Sequence, residues 1–307
     1  MFKKIVFMGT SYFAVPILKS LYQNGYPVSV VYTQPPKKSN RGQKLNKSPI
    51  NLFSENISLD VRTPEKLKNN NEEEIFLNKL QPDLIIVVSY GQIIPKNLIT
   101  IPKFGFLNVH ASLLPKWRGA APIQRSIMNL DKETGISIMK INENLDEGPV
   151  CNQYSLKISE KTNSEELSEK LSLLASEKIL DVLDNIYDGN INFQDQEHSK
   201  ATYAKKIKKN EGKINWEENA DNIIGKINGL YPYPGAFFLF KGERYKILKA
   251  EKSYTNGKPG NIINEDFEIC CGEDSIKVLS IQREGKKVQQ IKEFLLGSQI
   301  NKGTNIS

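Results

Sequence analysis

The amino-acid sequence predicts an α/β fold, in which a parallel sheet with flanking helices is followed by a smaller, mainly β domain. The first observation is length, because 307 residues exceed what a single compact core usually holds. The second is that short apolar runs alternate with amphipathic helical segments over the first two thirds of the chain. The third is that short strand-like runs, separated by turn residues, dominate the last third.

The strands of the first domain are predicted from mostly apolar runs. Ile5–Met8, Val28–Tyr32, Leu84–Ser89 and Phe106–His110 are each expected to be buried, since apolar residues on both faces are typical of a parallel sheet. Residues 14–21 follow the first strand with apolar side chains at helical spacing. This alternation indicates a Rossmann-like topology, whose functional edge lies at the carboxyl ends of the strands.

The remaining helices and strands are predicted from the spacing of apolar residues in the same way. The other predicted helices are residues 73–80, 163–187 and 216–230, and the other predicted strands are residues 57–61, 136–140, 151–158, 237–240, 245–249, 267–271 and 276–282. A polar, weakly patterned stretch divides the chain. We therefore expect a first domain at residues 1–189, a linker at 190–209 and a C-terminal β domain at 210–307.

The composition excludes several classes of protein. Hydrophobic residues make up 39% and charged residues 25%, which are values of an ordinary soluble protein rather than a disordered or collagen-like chain. The longest apolar run is far shorter than the ~18–20 residues of a membrane helix, so we expect no membrane span. The three cysteines have neither metal-binding nor disulfide-framework spacing, and a reducing cytoplasm is the expected location.

The charge distribution indicates a polyanionic partner. The net charge is +7, and residues 206–307 hold 17 basic against 13 acidic side chains. A basic loop at residues 33–47 carries five cations and no acidic residue. Such patches attract nucleic acids, although a solvated surface without a partner can have the same composition. The cations of this loop are Lys37, Lys38, Arg41, Lys44 and Lys47.

Two polar side chains stand out at the end of the fourth predicted strand of the sheet. Strand alternation places Asn108 and His110 on the same face. An amide NH₂ there can donate to a developing oxyanion, and an imidazole beside it can move a proton. A core histidine with satisfied hydrogen bonds is the alternative for His110. Downstream, Asp146 lies in a Gly-terminated loop, where aspartate is also common for turn formation alone.

A series of motifs extends along nearly the whole chain. They are Ile5–Thr10, Phe13–Pro16, Ser89–Pro95, Asn108–Gln124, Leu145–Gly148, Ala201–Ile207 and Tyr233–Ala236. Together they resemble the folate-dependent formyltransferases, which share Asn-x-His followed by Ser-Leu-Leu-Pro. The continuation Arg-Gly-Ala-Ala-Pro-Ile-Gln, the basic loop and the C-terminal domain are similar to the methionyl-tRNA formyltransferase branch of that family. Tyr12 departs from the pattern, since the family usually has an acidic residue there.

The resemblance implies both an architecture and a reaction. A Rossmann-like catalytic domain would be followed by a small OB-like β-barrel that helps to bind tRNA. The reaction would transfer the formyl group of 10-formyltetrahydrofolate to the α-amino group of methionyl-initiator tRNA, without a metal. Asn108, His110 and Asp146 would be the catalytic residues, in a protein that we expect to be a monomer.

The resemblance also implies two sets of binding residues. The folate donor would be lined by Ser112, Leu113, Leu114, Pro115, Ser89, Tyr90, Gly91, Gln92 and Ile93. The acceptor stem of the tRNA would be contacted by Arg41, together with Lys37, Lys38 and Lys44.

Two other functions remain open at this point. Another 10-formyltetrahydrofolate-dependent formyltransferase, acting on a small amine such as a nucleotide-sugar amine or glycinamide ribonucleotide, would share the three catalytic residues but would not need the basic loop. A non-catalytic RNA-binding protein on a decayed enzyme scaffold would need the positive charge but not the intact Asn-x-His and aspartate.

Overall fold

A computed structural model describes residues 1–39 and 44–306 of the chain. Its α-helices are α1 (Val15–Gln23), α2 (Pro49–Asn56), α3 (Asn71–Leu80), α4 (Lys96–Ile99), α5 (Pro122–Met128), α6 (Ser164–Tyr187), α7 (Ala220–Gly229) and α8 (Ile291–Leu295). Its strands are β1 (Ile5–Gly9), β2 (Val28–Tyr32), β3 (Lys37–Ser39), β4 (Lys44–Asn46), β5 (Val61–Arg62), β6 (Leu84–Val88), β7 (Phe106–His110), β8 (Arg118–Gly119), β9 (Glu133–Lys140), β10 (Val150–Lys157), β11 (Tyr203–Ala204), β12 (Ala236–Phe240), β13 (Glu243–Ser253), β14 (Glu268–Cys270), β15 (Ser275–Arg283) and β16 (Gln289–Gln290). Short 3₁₀ turns lie at Tyr12–Ala14, His198–Lys200 and Lys209–Gly212.

The first compact unit contains Met1–Gly119, Thr134–Leu156 and Ser168–Tyr203. Its seven-stranded sheet has the order β10-β9-β7-β6-β1-β2-β5. The five strands from β7 to β5 are parallel, and β9 runs antiparallel to β7. Every residue of β1 and β6 is buried, which explains why these strands are apolar on both faces.

The strand order places a crevice at one edge of this sheet. The chain passes from β1 to β2 on one side and later returns to β6 on the other side of β1. The loops that follow β1 and β6 therefore diverge at the carboxyl ends of the strands, where ligands bind in open α/β sheets. Strand β7 is the neighbour of β6, so Asn108 and His110 lie at this same edge.

The second compact unit contains Ala120–Glu133, Lys157–Leu167 and Ala204–Ser307. Its sheet has the order β12-β13-β15-β14, with β16 added to β15, and the paired strands are antiparallel. Helix α5 belongs to this unit because it packs against α7. The approach is close, since a Cβ added to Gly229 would lie 2.6 Å from Met128 Cγ.

The predicted fold class, a Rossmann-like parallel domain followed by a small β domain, is confirmed. The strand predicted at residues 57–61 is wrong, because only Val61–Arg62 is extended and helix α2 precedes it. Ser48 caps that helix by accepting from Asn51 N at 3.0 Å, and Pro49 occupies its first turn. The domain boundaries at residues 189 and 209 stay a prediction.

No helix in the described ranges is long and apolar enough to cross a bilayer. Cys151, Cys270 and Cys271 all carry free thiols. Burial raises the pKa of Cys151 to about 11 and that of Cys271 to about 12. These two thiols are therefore protonated at neutral pH, a form that is weakly nucleophilic.

A buried carboxylate stabilises the β2–β5 end of the first sheet. Glu73 on α3 is 5% exposed and accepts hydrogen bonds from Tyr32 Oη and Arg62 Nε, each at 2.7 Å. Burial, together with this neighbouring carboxylate, raises the pKa of Tyr32 well above its ordinary value. Glu72 pairs with the same guanidinium at 2.8 Å, but its side chain is 82% exposed.

We predict that Glu73→Gln lowers the free energy of unfolding by about 2 kcal/mol, because a buried ion-pair partner is removed while Tyr32 and Arg62 remain. The matched control is Glu72→Gln, which removes an exposed carboxylate from the same arginine and should cost about 0.5 kcal/mol or less. Urea denaturation of both variants measures the difference. Equal losses would contradict a special contribution from the buried carboxylate.

Candidate active site

Strand β7 presents the two polar residues that the sequence singled out. It lies between β6 and β9, with Asn108 opposite Met139 and His110 opposite Ser137. Asn108 is half-buried and His110 is 6% exposed. Alternation along the strand places both side chains on one face, at the carboxyl end of the strand as predicted.

Asp146 reaches these residues from the loop between β9 and β10. Its Oδ1 lies 3.4 Å from Asn108 Nδ2, and its Oδ2 lies 3.7 Å from His110 Nδ1. The backbone N–H of Gly119 donates to Oδ2 at 2.8 Å. Asp146 has a φ of +50°, a left-handed conformation that aspartate and asparagine tolerate better than most residues. The structure therefore brings the three predicted catalytic residues together.

The hydrogen bond of His110 at Nε2 defines the tautomer of its neutral ring. Nε2 lies 2.9 Å from the carbonyl oxygen of Trp117, and because a carbonyl only accepts, Nε2 must carry a hydrogen. The neutral ring therefore has its lone pair on Nδ1, which faces Asp146. A second proton bound at Nδ1 would lie between the ring and the carboxylate. An imidazole facing a carboxylate in this way is an arrangement that acid–base catalysis uses.

A buried arginine holds the loop that carries Asp146. Arg118 is 1% exposed, and its Nη1 pairs with Glu147 Oε1 at 3.0 Å. Its Nε and Nη2 donate to Gln196 Oε1 at 3.0 and 2.9 Å. Gln196 Nε2 in turn donates to the carbonyls of Asp146 and Gly148, at 2.9 and 2.8 Å. Sequence reasoning gave Arg118 no individual role and missed Gln196, which lies in the weakly patterned stretch.

The segment of residues 112–115 is fixed by hydrogen bonds to the neighbouring strands. Ser137 Oγ donates to the Ser112 carbonyl at 2.7 Å and accepts from Leu114 N at 2.9 Å. Gln153 Nε2 donates to the Leu114 carbonyl at 2.7 Å. The Ser112 hydroxyl donates within the turn, to the carbonyl of Lys116 at 2.6 Å. Residues 112–115, which we predict to line the folate donor, therefore have a backbone held by hydrogen bonds beside β7.

The second predicted folate segment is the loop of residues 89–93, which follows β6. Ser89 is exposed, and Ile93 is 82% exposed. Gln92 is anchored instead, since its side chain accepts from Leu67 N at 3.0 Å and donates to the Pro64 carbonyl at 2.9 Å. The Tyr90 ring is 1% exposed, and its hydroxyl has no hydrogen-bond partner among the described residues. Burial raises the pKa of that hydroxyl.

The predicted basic loop contains a short antiparallel hairpin of β3 and β4, in which Lys38 is opposite Leu45 and Lys44 is opposite Ser39. We call these two strands the basic hairpin. Lys37 is exposed at its start. Arg41, the residue favoured for tRNA contact, lies outside the described residues. Within residues 1–39 and 44–306, no group of three or more His, Cys, Asp or Glu side chains could hold a metal ion.

Comparisons with known proteins find formyl transferase sequences in both parts of the chain. The family model described as formyl transferase matches residues 3–183, and that for the formyl transferase C-terminal domain matches residues 206–299. A methionyl-tRNA formyltransferase of Pelagibacter ubique is 62% identical over 308 residues, with 100% of this chain and 99% of that protein covered. A protein of the same name from Thermodesulfovibrio yellowstonii is 43% identical over 304 residues, with 97% of each covered.

A solved structure supports the fold independently. The N-formyltransferase of Helicobacter canadensis, in complex with folinic acid and dTDP-3-aminofucose, matches with a TM-score of 0.69. The match covers 91% of this chain and 99% of that one, at 19% sequence identity. At so low an identity the likeness concerns the fold alone.

We predict that Gln196→Glu displaces the Asp146 loop. The new carboxylate keeps its pairing with Arg118 but places an oxygen against the carbonyls of Asp146 and Gly148, which repel it. The ring NMR signals of His110 should therefore shift at constant pH. Assignment is simple, because the chain has only 2 histidines.

The control for that variant is Gln194→Glu, the same change at an exposed position two residues earlier. It should leave the His110 signals in place. Unchanged signals in folded Gln196→Glu would show that this amide does not position Asp146.

Proposed function

Because this chain belongs to the formyl transferase family, we propose that it transfers the formyl group of 10-formyltetrahydrofolate to the α-amino group of methionyl-initiator tRNA. The observation that carries this proposal is full-length similarity to proteins named methionyl-tRNA formyltransferase, including the C-terminal unit. The resemblance that the sequence motifs indicated is thereby confirmed at the level of the family.

The proposed reaction exchanges one C–N bond for another. The methionine nitrogen attacks the formyl carbon, the bond from that carbon to N10 of the folate breaks, and one amine proton ends on N10. An α-amino group has a pKa of ~7.7, so a substantial fraction is neutral at physiological pH. The attack therefore needs no strong base.

We assign stabilisation of the tetrahedral oxyanion to Asn108. Its amide has two N–H groups, of which one points to Asp146 at 3.4 Å. The other has no acceptor among the described residues. A fixed donor of this kind costs no reorganisation when charge develops, and losing one typically costs ~10²–10³ in rate.

We assign proton transfer to His110 and Asp146 acting as a pair. The proton released by the attacking amine can be held at Nδ1 of the ring, where the carboxylate stabilises the imidazolium. The same proton is then available for the leaving nitrogen. The hydrogen bond from Nε2 to Trp117 keeps the ring oriented throughout.

We assign the folate donor to residues 112–115 and 89–93. Exposed Ile93 and half-buried Leu113 offer apolar contacts for a ring, and the backbone of both segments offers hydrogen-bonding groups. The tRNA is assigned to Lys37, Lys38 and Lys44 of the basic hairpin, to Arg41 of the same basic stretch of sequence, and to the basic C-terminal unit. We propose that the protein acts in the cytoplasm as a monomer.

The decisive experiment offers the protein one formyl donor and several amines. With 10-formyltetrahydrofolate, we expect rapid formylation of methionyl-initiator tRNA and little of free methionine, nucleotide-sugar amines or glycinamide ribonucleotide. Preference for a small amine would favour the alternative folate-dependent enzyme. Binding of tRNA without any formyl transfer would favour the non-catalytic alternative.

We predict that Asp146→Asn folds normally but loses about 10²–10⁴ in kcat, the usual contribution of acid–base catalysis. Asparagine suits the left-handed backbone as well as aspartate does, but it cannot stabilise a protonated imidazole. The measurement is kcat as a function of pH, with unfolding followed in parallel. A normal rate and an unchanged pH profile would mean that Asp146 serves only the turn.

We predict that Arg41→Ala raises KM for the charged tRNA and leaves KM for the folate donor unchanged. Each phosphate contact contributes about −0.9 to the slope of log affinity against log salt, so the variant should have a flatter slope. Lys170→Ala, which removes one exposed cation from α6, is the control. Identical tRNA kinetics and salt slopes in wild type and Arg41→Ala would contradict the assignment.

A further inference from the structure

Three segments meet at the carboxyl ends of the neighbouring strands β6, β1 and β2. Gln34, which follows β2, donates through Nε2 to the carbonyls of Tyr90 and Gly91 at 3.0 and 3.1 Å. Thr10, which follows β1, donates through Oγ1 to the same Tyr90 carbonyl at 2.8 Å. The side chains of Gln34 and Thr10 therefore hold the loop of residues 89–93, assigned above to the folate donor, through its backbone carbonyls.

The opposite end of the Gln34 amide contacts the basic hairpin. Lys37 Nζ donates a hydrogen bond to Gln34 Oε1. An ammonium group has three N–H donors, so Lys37 can bind Gln34 and a phosphate at the same time. One planar side-chain amide thus joins the hairpin assigned to tRNA with the loop assigned to folate.

The contact between Gln34 and the loop is close at Gly91. A Cβ added there would lie 2.4 Å from Gln34 Nε2, and the φ of +77° favours glycine in any case. The loop backbone therefore lies directly against the amide. A reorientation of Gln34 must change the positions of the two carbonyls that it binds.

We propose that Gln34 is a positioning residue that couples the two substrate sites, so that tRNA and folate raise each other's affinity. The inference rests on the proposed function, from which both substrates are taken. A phosphate fixes the Lys37 ammonium, the ammonium orients and polarises the Gln34 amide, and the amide holds the folate loop in one conformation. Linkage requires the effect to be reciprocal.

Tetrahydrofolate is a suitable probe, because it lacks the formyl group and cannot react. Its Kd is measured by calorimetry with and without saturating methionyl-initiator tRNA. We expect the tRNA to tighten binding about fivefold or more in the wild-type protein, a usual size for coupled sites. The same addition should leave the Kd nearly unchanged in Gln34→Met, which keeps the length of the side chain but makes none of these hydrogen bonds.

Two lysine variants complete the design. Lys37→Met removes the partner of Gln34 and should also abolish the coupling. Lys47→Met is the matched control, since Lys47 belongs to the same basic stretch but pairs with Glu55 at 2.6 Å. It should keep the wild-type coupling factor even if tRNA binds less tightly.

The outcomes separate this inference from the proposed function. Full coupling in Gln34→Met, or no coupling in a wild-type protein that binds both ligands, overturns the inference alone. A wild-type protein that binds tetrahydrofolate but no tRNA overturns the proposed function. If Gln34→Met fails to fold, Gln34→Glu replaces it. That variant keeps an oxygen for Lys37 but loses the donor, so it should abolish coupling and weaken tetrahydrofolate binding without tRNA.

Discussion

The carboxylate of Asp146 is the group on which the geometry of the site depends. Its side chain is only 16% exposed, and a charge so far removed from water is stable only when it is paired and hydrogen-bonded. The chain meets this requirement with three separate segments: β7 brings Asn108 and His110, residue 119 brings a backbone N–H, and the loop after β9 brings the carboxylate itself. The arrangement of the three proposed catalytic residues follows from pairing this one carboxylate.

The adjacent residues Arg118 and Gly119 hold the adjacent acidic residues Asp146 and Glu147, one contact to each. Gly119 donates its backbone N–H to Asp146, while the guanidinium of Arg118 pairs with Glu147. A guanidinium that is 1% exposed cannot lose Glu147 without a large desolvation cost, so Glu147 and the adjacent Asp146 are confined to one place. Gln196 adds a backbone restraint to the same loop. The position of Asp146 is thus fixed through its side chain, its neighbour and its own carbonyl.

Part of the candidate site could be predicted from the sequence, and there are physical reasons why the rest could not. Strand alternation is set by backbone geometry, and it was enough to place Asn108 and His110 on one face. Asp146 lies 38 residues after Asn108, and no periodicity links them, so its pairing came only from the family resemblance. Gln196 bonds to loop carbonyls, a contact that leaves no pattern in the sequence. The burial of the Tyr90 ring likewise depends on tertiary packing rather than on local pattern.

In the proposed function, the residues assigned to tRNA recognition are separate from the residues assigned to catalysis, so binding at one set must be communicated to the other. Asn108, His110 and Asp146 would suit many neutral amines, so the proposed function assigns selection of the tRNA to cations away from the reacting atoms. Binding energy gained at a remote contact accelerates a reaction only if it is used to position groups in the transition state. Gln34 offers such a path, because it joins Lys37 to the backbone carbonyls of Tyr90 and Gly91, in the loop after β6 that we assign to the folate donor. An amine that lacks the tRNA body would then react slowly even when it is bound, and not merely bind weakly.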